Sequence, residues 1–341
     1  MKNKKRSRLK KWLLAGLAVI VAAVVCLWPT DYFIESPGSA SQISPMISST
    51  AGKADPHFYL VTVSERPAVL IDYLTSYLRP FDTRVSSKEL LEGQSSEDYE
   101  TLQHYYMEAS QNNAIYYAAK RAGKHPQKLY KGIYVMDVMK NSSFKKSLQV
   151  GDNIVAVDGR RFQSTAAFMR YLHHKKLGER VVITRLRDGK SGLAVGKIVK
   201  VKGTGRMGIG ITLVEHNAVK VKPKIKINAS QIGGPSAGLM FSLTCYQLLT
   251  HEKLTRGRKV AGTGTIDEDG NVGIIGGIDK KVVAANKQGA KIFFAPTQKL
   301  PGMKKSQTNY AQAVRTAKKI HSHMKIVPVA DFNDALNYLK K

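Results

Sequence analysis

Cysteine is nearly absent from this sequence. Two occur in 341 residues, Cys26 inside an apolar run and Cys245 inside an apolar stretch of helical character. Neither is placed for a disulfide, so any exported part must be held by its core rather than by covalent staples. Acid is scarce too: 25 Asp and Glu stand against 54 Lys and Arg, for a net charge of +29. No G-x-x-x-x-G-K-[ST] phosphate loop is present, because Gly189-Lys190-Ser191 has Thr184 where the first Gly belongs. No H-E-x-x-H occurs either; His251-Glu252 is followed by Thr255 where a second metal ligand would stand. These absences argue against a nucleotide motor of that type and against a zinc protease, and no metal or cofactor is expected.

What is present begins with a charge gradient. Residues 1–28 carry seven basic side chains and no acid, residues 29–122 carry seven basic and twelve acidic, and residues 123–341 carry forty basic and thirteen acidic. Lys2, Lys4, Lys5, Arg6, Arg8, Lys10 and Lys11 precede the uninterrupted apolar run Trp12–Trp28, which Pro29 ends. As a helix, such a run rises about 26 Å, close to the thickness of a bilayer core. The basic cluster stays cytoplasmic, which places everything after Pro29 outside the cell membrane as a single-pass protein. A cleaved signal peptide is the alternative, with Gly38-Ser39-Ala40 as small residues for cleavage. On either reading nucleic acid is not expected as a partner of the basic C-terminal part. An anionic cell-wall polymer or lipid headgroups suit it better, and a merely soluble basic surface needs no partner at all.

Residues 36–56, rich in Ser, Pro, Gly and Ala, read as a loop or tether. His57–Val63 is β-branched and aromatic and reads as a strand, and its pairing with the C-terminal sheet across the inserted middle segment is left open. From Lys88 to Gly123 the pattern is helical, as one long helix or two, and nothing in it suggests chemistry. Gly132–Val138 reads as a strand. In Leu148-Gln149-Val150-Gly151-Asp152-Asn153-Ile154-Val155-Ala156-Val157-Asp158-Gly159, a turn, a strand and a hairpin signal follow in order. Thr165–Lys175 then reads as a helix and Glu179–Arg187 as a strand. This L-x-x-G-D-x-I-x-x-V-D-G core resembles a PDZ domain. The resemblance implies that Lys131-Gly132-Ile133-Tyr134 forms the loop accepting a peptide C-terminus, with the peptide adding as a strand against 133–138 and the 165–175 helix as the other wall. A small spacer that binds nothing is the alternative.

Lys224–Asn228 alternates like a strand, Gly233-Gly234-Pro235-Ser236-Ala237-Gly238 follows, and the apolar run Leu239–Leu249 is helical. A Ser on a Gly-rich strand-to-helix turn suits a nucleophile. Small neighbours admit a substrate backbone, and the unpaired N–H groups of the first turn can stabilise an oxyanion. A plain helix cap would look the same. None of the nine histidines has a recognisable triad setting: His173-His174 falls on the PDZ-like helix and His321-x-His323 in a basic tail. The base candidates are therefore lysines. Val260–Ile266 reads as a strand, Asp267–Asn271 as a hairpin turn and Val272–Ile275 as the return strand. Gly276-Gly277-Ile278-Asp279 opens a helix over 280–289 with Asp279 as its cap, and Lys280 and Lys281 both lie in its first turn.

Gly-Pro-Ser236-Ala-Gly, Thr263-Gly264 and Gly276-Gly277-Ile278 with a lysine three residues on are together similar to the proteolytic domain of Lon-family proteases. With the apolar run and the PDZ-like core, the whole chain resembles the PDZ-containing Lon-like proteases of Gram-positive bacteria, the YlbL type. The resemblance implies a serine endopeptidase with Ser236 as nucleophile and Lys281, rather than Lys280, as base. It implies that the Thr263 hydroxyl orients the lysine, with Gly234, Pro235 and Ala237 around the oxyanion. It also implies substrates among small exported or single-pass membrane proteins. Gly233 departs from the ATP-dependent Lon enzymes, which often have Asp there. An exposed lysine is protonated at neutral pH, so Lys281 needs burial, with Ile278, Val282, Val283 and Ala285 as apolar walls and no carboxylate beside it.

The expected fold class is α/β with α+β character. Its parts are a cytoplasmic basic tail (1–11), a transmembrane helix (12–28), an extracytoplasmic tether and helical segment (29–122), a PDZ-like β-rich domain (123–202) and a Lon-type proteolytic domain (203–341). A non-catalytic adaptor that captures peptides, or a protein that binds cell wall by charge, remain the competing readings.

Overall fold

The computed structural model describes residues 2–341 except 202 and 204; the side chains of 2–11, 18 and 22 are also outside what it describes. Along the chain come α1 (Lys2–Cys26), β1 (Pro29–Gln42), β2 (Ile47–Ser49), β3 (Phe58–Val69), α2 (Leu70–Thr75), β4 (Thr83–Ser86), α3 (Ser87–Leu91) and α4 (Ser96–Arg121). A second stretch holds β5 (Gln127–Val138), β6 (Asn153–Val157), α5 (Thr165–His173), β7 (Arg180–Arg187), β8 (Lys190–Lys197), β9 (Val199–Lys200), β10 (Met207–Gly208) and β11 (Ile211–Lys220). The last stretch is β12 (Ile225–Ile227), α6 (Gly238–Thr250), β13 (Val260–Gly262), β14 (Thr265–Ile266), β15 (Val272–Gly273), α7 (Ile278–Lys287), β16 (Ile292–Pro296), α8 (Asn309–Lys319), β17 (Lys325–Val329) and α9 (Phe332–Lys340).

The protease-like body is a mixed six-stranded sheet in the order β17-β16-β13-β3-β1-β4, parallel from β17 to β3 and antiparallel beyond. Alternation along each strand supplies two apolar faces. Phe58, Leu60, Val260 and Phe294 pack under α4, α6 and α9. Tyr59, Val61, Ala261 and Phe293 pack under α7 and α8. The helices therefore sandwich the sheet.

One expectation about residues 29–122 is corrected here, and one left open is decided. The Ser/Pro/Gly-rich stretch from 36 is not a tether: β1 pairs antiparallel with both β3 and β4. Its composition serves a bulge, since the register shifts between Pro37 and Ala40, and a Cβ on Gly38 would lie 2.6 Å from the Thr62 carbonyl oxygen. The pairing left open for His57–Val63 is made. β3 is bonded to β13 in parallel, Phe58 opposite Val260, so the middle domain is an insertion between two neighbouring strands of one sheet. The helical region 88–123 is two helices, α3 and α4. Ser95 caps α4 by accepting from the Asp98 N–H.

The middle domain is a five-stranded antiparallel sheet, β11-β5-β6-β7-β8, with α5 against it. The expected boundary at 202 falls on a residue outside those described, and the sheet closes only with β11. At the N-terminus, α1 carries the apolar run, and its large apolar side chains from Trp12 to Trp28 are half or more exposed. Among the described residues no helix is long and apolar enough to cross a membrane. The basic cluster of 2–11, on which the membrane reading also rests, is outside the described side chains.

Candidate active site

Ser236 stands where Gly233-Gly234-Pro235 turns into α6. Three contacts from outside the turn hold it. The Gly234 N–H donates to the Gln103 carbonyl of α4 at 2.8 Å, the Ser110 hydroxyl of α4 donates to the Pro235 carbonyl at 2.9 Å, and the Gly264 N–H donates to the Ser236 carbonyl at 2.8 Å. The nucleophile loop is thus clamped between α4, which precedes the inserted domain in sequence, and the strand end at 264, which follows it.

Lys281 approaches from α7. That helix begins after Gly277, whose φ of +63° and close approach to Val63 leave no room for a side chain, since a Cβ would lie 2.5 Å from Val63 Cγ2. Gly277, not the expected Asp279, is therefore the cap position, and the helix starts two residues earlier than expected. Pressed against β3 in this way, α7 directs Lys281 into the cleft. Its Nζ donates to Ser236 Oγ at 2.8 Å and to Thr263 Oγ1 at 3.4 Å. Thr263, buried, donates in turn to the Ser236 carbonyl at 3.0 Å. One hydroxyl thus ties the lysine to the backbone of the serine.

The two adjacent lysines have opposite surroundings. Lys280, also buried, donates to Thr83 at 2.8 Å and lies 3.5 Å from both Glu35 and Asp279. It is a paired cation. Lys281 has no carboxylate within ion-pair distance among the described residues, and burial pushes its amine down to about 8, opposed by the fields of Glu65 and then Glu35. No carboxylate stands beside the amine, as expected, but these two act on it from across the cleft. They are cross-strand neighbours on β3 and β1 and line the same cleft of about 1000 Å³ as Ser236 and Lys281. Burial raises the Glu65 carboxyl, against a hydrogen bond from Tyr99 at 3.1 Å.

Two of the residues expected around an oxyanion have no N–H to give it. Pro235 has no N–H at all, and the Gly234 N–H is already spent on Gln103. Among the described residues the N–H groups of Ser236 and Ala237 have no acceptor, and they lie at the start of α6, whose dipole favours negative charge. Ala237 is therefore kept from the expected set and Ser236 N–H joins it.

The expected peptide loop Lys131-Gly132-Ile133-Tyr134 is not a loop. It is the middle of β5, bonded to β6 on one edge (Ile133 opposite Ile154) and to β11 on the other (Tyr134 opposite Val214). A strand paired on both edges cannot accept a peptide. Ile133 is core, and Tyr134 stacks between Tyr105 of α4 and His216 of β11, at 3.8 and 4.1 Å between ring centres, while donating to Glu108 at 2.9 Å. Those residues fasten the inserted domain to α4. The edge strand is β11, and between it and α5 lies an apolar hollow of about 250 Å³ lined by Phe168, Met169, Leu172, Ile209, Ile211 and Leu213. The groove expected between strand and helix exists, one strand over and about eighty residues later in the chain.

Sequence reasoning missed Glu35, Glu65, Gln103 and Ser110. No local signal could have found them, because each acts on the site through a pairing between segments far apart in sequence.

Residues 121–194 match the PDZ domain family and residues 199–339 match the Lon protease (S16) C-terminal proteolytic domain, a serine peptidase family marked by a Ser–Lys dyad. The chain is 29% identical over 129 residues to the Lon protease of Rickettsia bellii, covering 38% of this chain and 15% of that one. It is 25% identical over 170 residues to the Lon protease of Mycoplasma mobile, covering 47% and 19%. The alignments thus span less than a fifth of those curated relatives. The crystal structure of the PDZ domain of the SdrC-like protein from Listeria monocytogenes is 39% identical, covers 25% of this chain and 90% of that chain, and superposes with a TM-score of 0.24.

Proposed function

We propose that this chain, which joins a PDZ domain to a Lon-type proteolytic domain, is a membrane-anchored serine endopeptidase that cuts extended peptide segments on the extracytoplasmic side. The observation that carries the reading is the 2.8 Å contact between Lys281 Nζ and Ser236 Oγ, made by an amine that burial has moved to about 8. A neutral Lys281 accepts the Ser236 proton as Oγ attacks the scissile carbonyl, and the N–H groups of Ser236 and Ala237 receive the oxyanion. The ammonium then protonates the leaving amine, and water repeats the cycle on the acyl-enzyme. Thr263 keeps the lysine aligned throughout. Lacking a phosphate loop, the chain is proposed to take substrates that are already extended. The α5–β11 groove supports a role for the PDZ domain in selecting them, since a peptide can add to the free edge of β11 with its side chains against Met169 and Leu172.

Anchoring through 12–28, with the N-terminus in the cytoplasm, is supported by the exposed apolar run and by the basic residues that precede it. The test of the enzyme reading is hydrolysis of an unstructured protein by the purified full chain, with products identified by mass spectrometry. Cleavage should vanish in Ser236→Ala; cleavage that survives would sink the dyad. The same open groove favours a second reading, a peptide-capturing adaptor. It predicts that Ser236→Ala retains full biological activity.

A further inference from the structure

We propose that α2 and the turn after it form a second lipid contact beside the anchor, so that Ile71, Leu74, Tyr77 and Leu78 sit in the headgroup region of an anionic bilayer. This rests on the membrane-anchored reading of 12–28. The side chains themselves call for an explanation: Ile71 is 41% exposed, Leu74 54%, Tyr77 61% and Leu78 84%. Ile71, Leu74 and Leu78 recur at the spacing of one helical face, so this is a patch and not scattered apolar residues.

Place decides the occupant. The last residue of the apolar run, Trp28, accepts a hydrogen bond through its carbonyl from the Leu70 N–H at 2.9 Å, and Pro29 pairs with Val69. Helix α2 therefore starts within one hydrogen bond of the point where the run ends. Any bilayer that holds Trp12–Trp28 has its surface at this point, and the patch continues the exposed Leu27 and Trp28 outward along that surface. The surroundings fit an interface too. Tyr32, Tyr73 and Tyr77 form a ring cluster, with centres 4.8 and 5.8 Å apart. Aromatic residues of this type collect at headgroup depth. Arg84 lies 3.9 Å from the Tyr77 ring centre, and Arg79, half exposed, is held from Asp82 only at 3.9 Å. These cations suit anionic headgroups, and the apolar face below them suits the acyl boundary.

Two contacts on one surface fix orientation where a single helix leaves the body free to swing. β1 runs from Pro29 at the lipid end to Glu35 in the cleft. Six residues of strand span about 20 Å, so the cleft would be held that close to the lipid surface, within reach of chain emerging from it.

The test uses the full chain in vesicles of phosphatidylcholine and phosphatidylglycerol, with Cys26→Ser, a nitroxide on Leu78→Cys, and a control nitroxide on Leu300→Cys, also exposed. Each labelled protein is first shown to cleave soluble peptide and to stay with the vesicles through a carbonate wash. The expected result is a label at 78 relaxed at least several-fold more by oxygen than by a water-soluble nickel chelate, and the reverse at 300. A retained protein whose label at 78 is open to the nickel chelate overturns the lipid contact and leaves the anchor standing. A label shielded from both reagents overturns it in favour of a second copy covering the patch. Loss from the vesicles in the wash overturns the anchor and the contact together.

Discussion

The cleft at Ser236 and the groove at β11 are both places where a peptide could lie, and they are built in opposite ways. The cleft is assembled from α4, the turn before α6, the end of β13 and the start of α7, and the Gly234 N–H, the Pro235 and Ser236 carbonyls and the Thr263 hydroxyl in it are already paired. The groove is a strand edge and an apolar helix face, with His173 and Arg206 as the ionisable groups of its lining and no carboxylate among the described residues there. The first is suited to chemistry, where preorganised dipoles and a desolvated amine matter. The second is suited to holding a backbone of loosely specified sequence. On this division, damage to one should leave the other intact.

The largest expected effect breaks the cleft. Lys281→Met should lower kcat/KM for a soluble peptide by ~10⁴-fold, about as much as Ser236→Ala, and the double variant should be no worse, because the two groups act as one unit. Peptide binding to the groove, measured calorimetrically, should be unchanged. Lys281→Met should also be more stable at pH 7. The amine titrates near 10.5 when free and about 8 when folded, so below about pH 8 the native state holds a proton in a site that disfavours it. That penalty amounts to about 1–3 kcal/mol once the lost hydrogen bonds are set against it. It fades as pH rises from about 8 through 10.5, above which both states are neutral. Denaturant unfolding at pH 7 and pH 10 checks this, and a gain that does not shrink with pH would show that the amine is not desolvated.

The contrast also explains what was legible in the sequence. Ser236, Lys281 and Thr263 each sit in a short motif whose turn chemistry is local, and the structure brings them together. The choice of Lys281 over Lys280 needed a resemblance, because only the fold shows that one side chain meets Glu35 and Asp279 while the other meets Ser236. The groove was misplaced for a different reason. Gly132–Val138 has the composition of a strand and is one, but whether a strand lies at an edge depends on which distant segment pairs beside it. Here β11 does, from eighty residues away. The same cause hid the role of β1, whose Ser, Pro and Gly content suits a bulged strand as well as a tether.

A charge placed in the groove is the intermediate case. Met169→Lys sets an ammonium against Ile211 and Leu213 in a hollow already lined by Arg206 and holding no carboxylate among the described residues of its lining, at a cost of roughly 2–3 kcal/mol to any apolar peptide side chain bound there. Binding of a peptide to the groove should weaken by about 30- to 100-fold, while hydrolysis of a short soluble peptide is unchanged. Equal losses in both assays would mean that the two sites are coupled, through the contacts of α4 to Tyr134 on one side and to the nucleophile turn on the other.

The smallest effect tests the cleft carboxylates. Glu65 and Glu35 hold a proton on Lys281 against the push of burial. Glu65→Gln removes the stronger of the two fields, lowers the lysine further and moves the acid limb of the pH–rate profile to lower pH. At pH 6.5 the variant should therefore be about two- to threefold faster than the parent under kcat/KM conditions. The gain has a lower bound. Glu65 is itself raised by burial, so as pH falls through its titration the parent loses the same charge and the two profiles converge. Glu35→Gln should shift the limb in the same direction by less, because Lys280 at 3.5 Å already offsets that carboxylate. A Glu65→Gln profile displaced to higher pH would mean that the carboxylate organises the site sterically rather than through its charge.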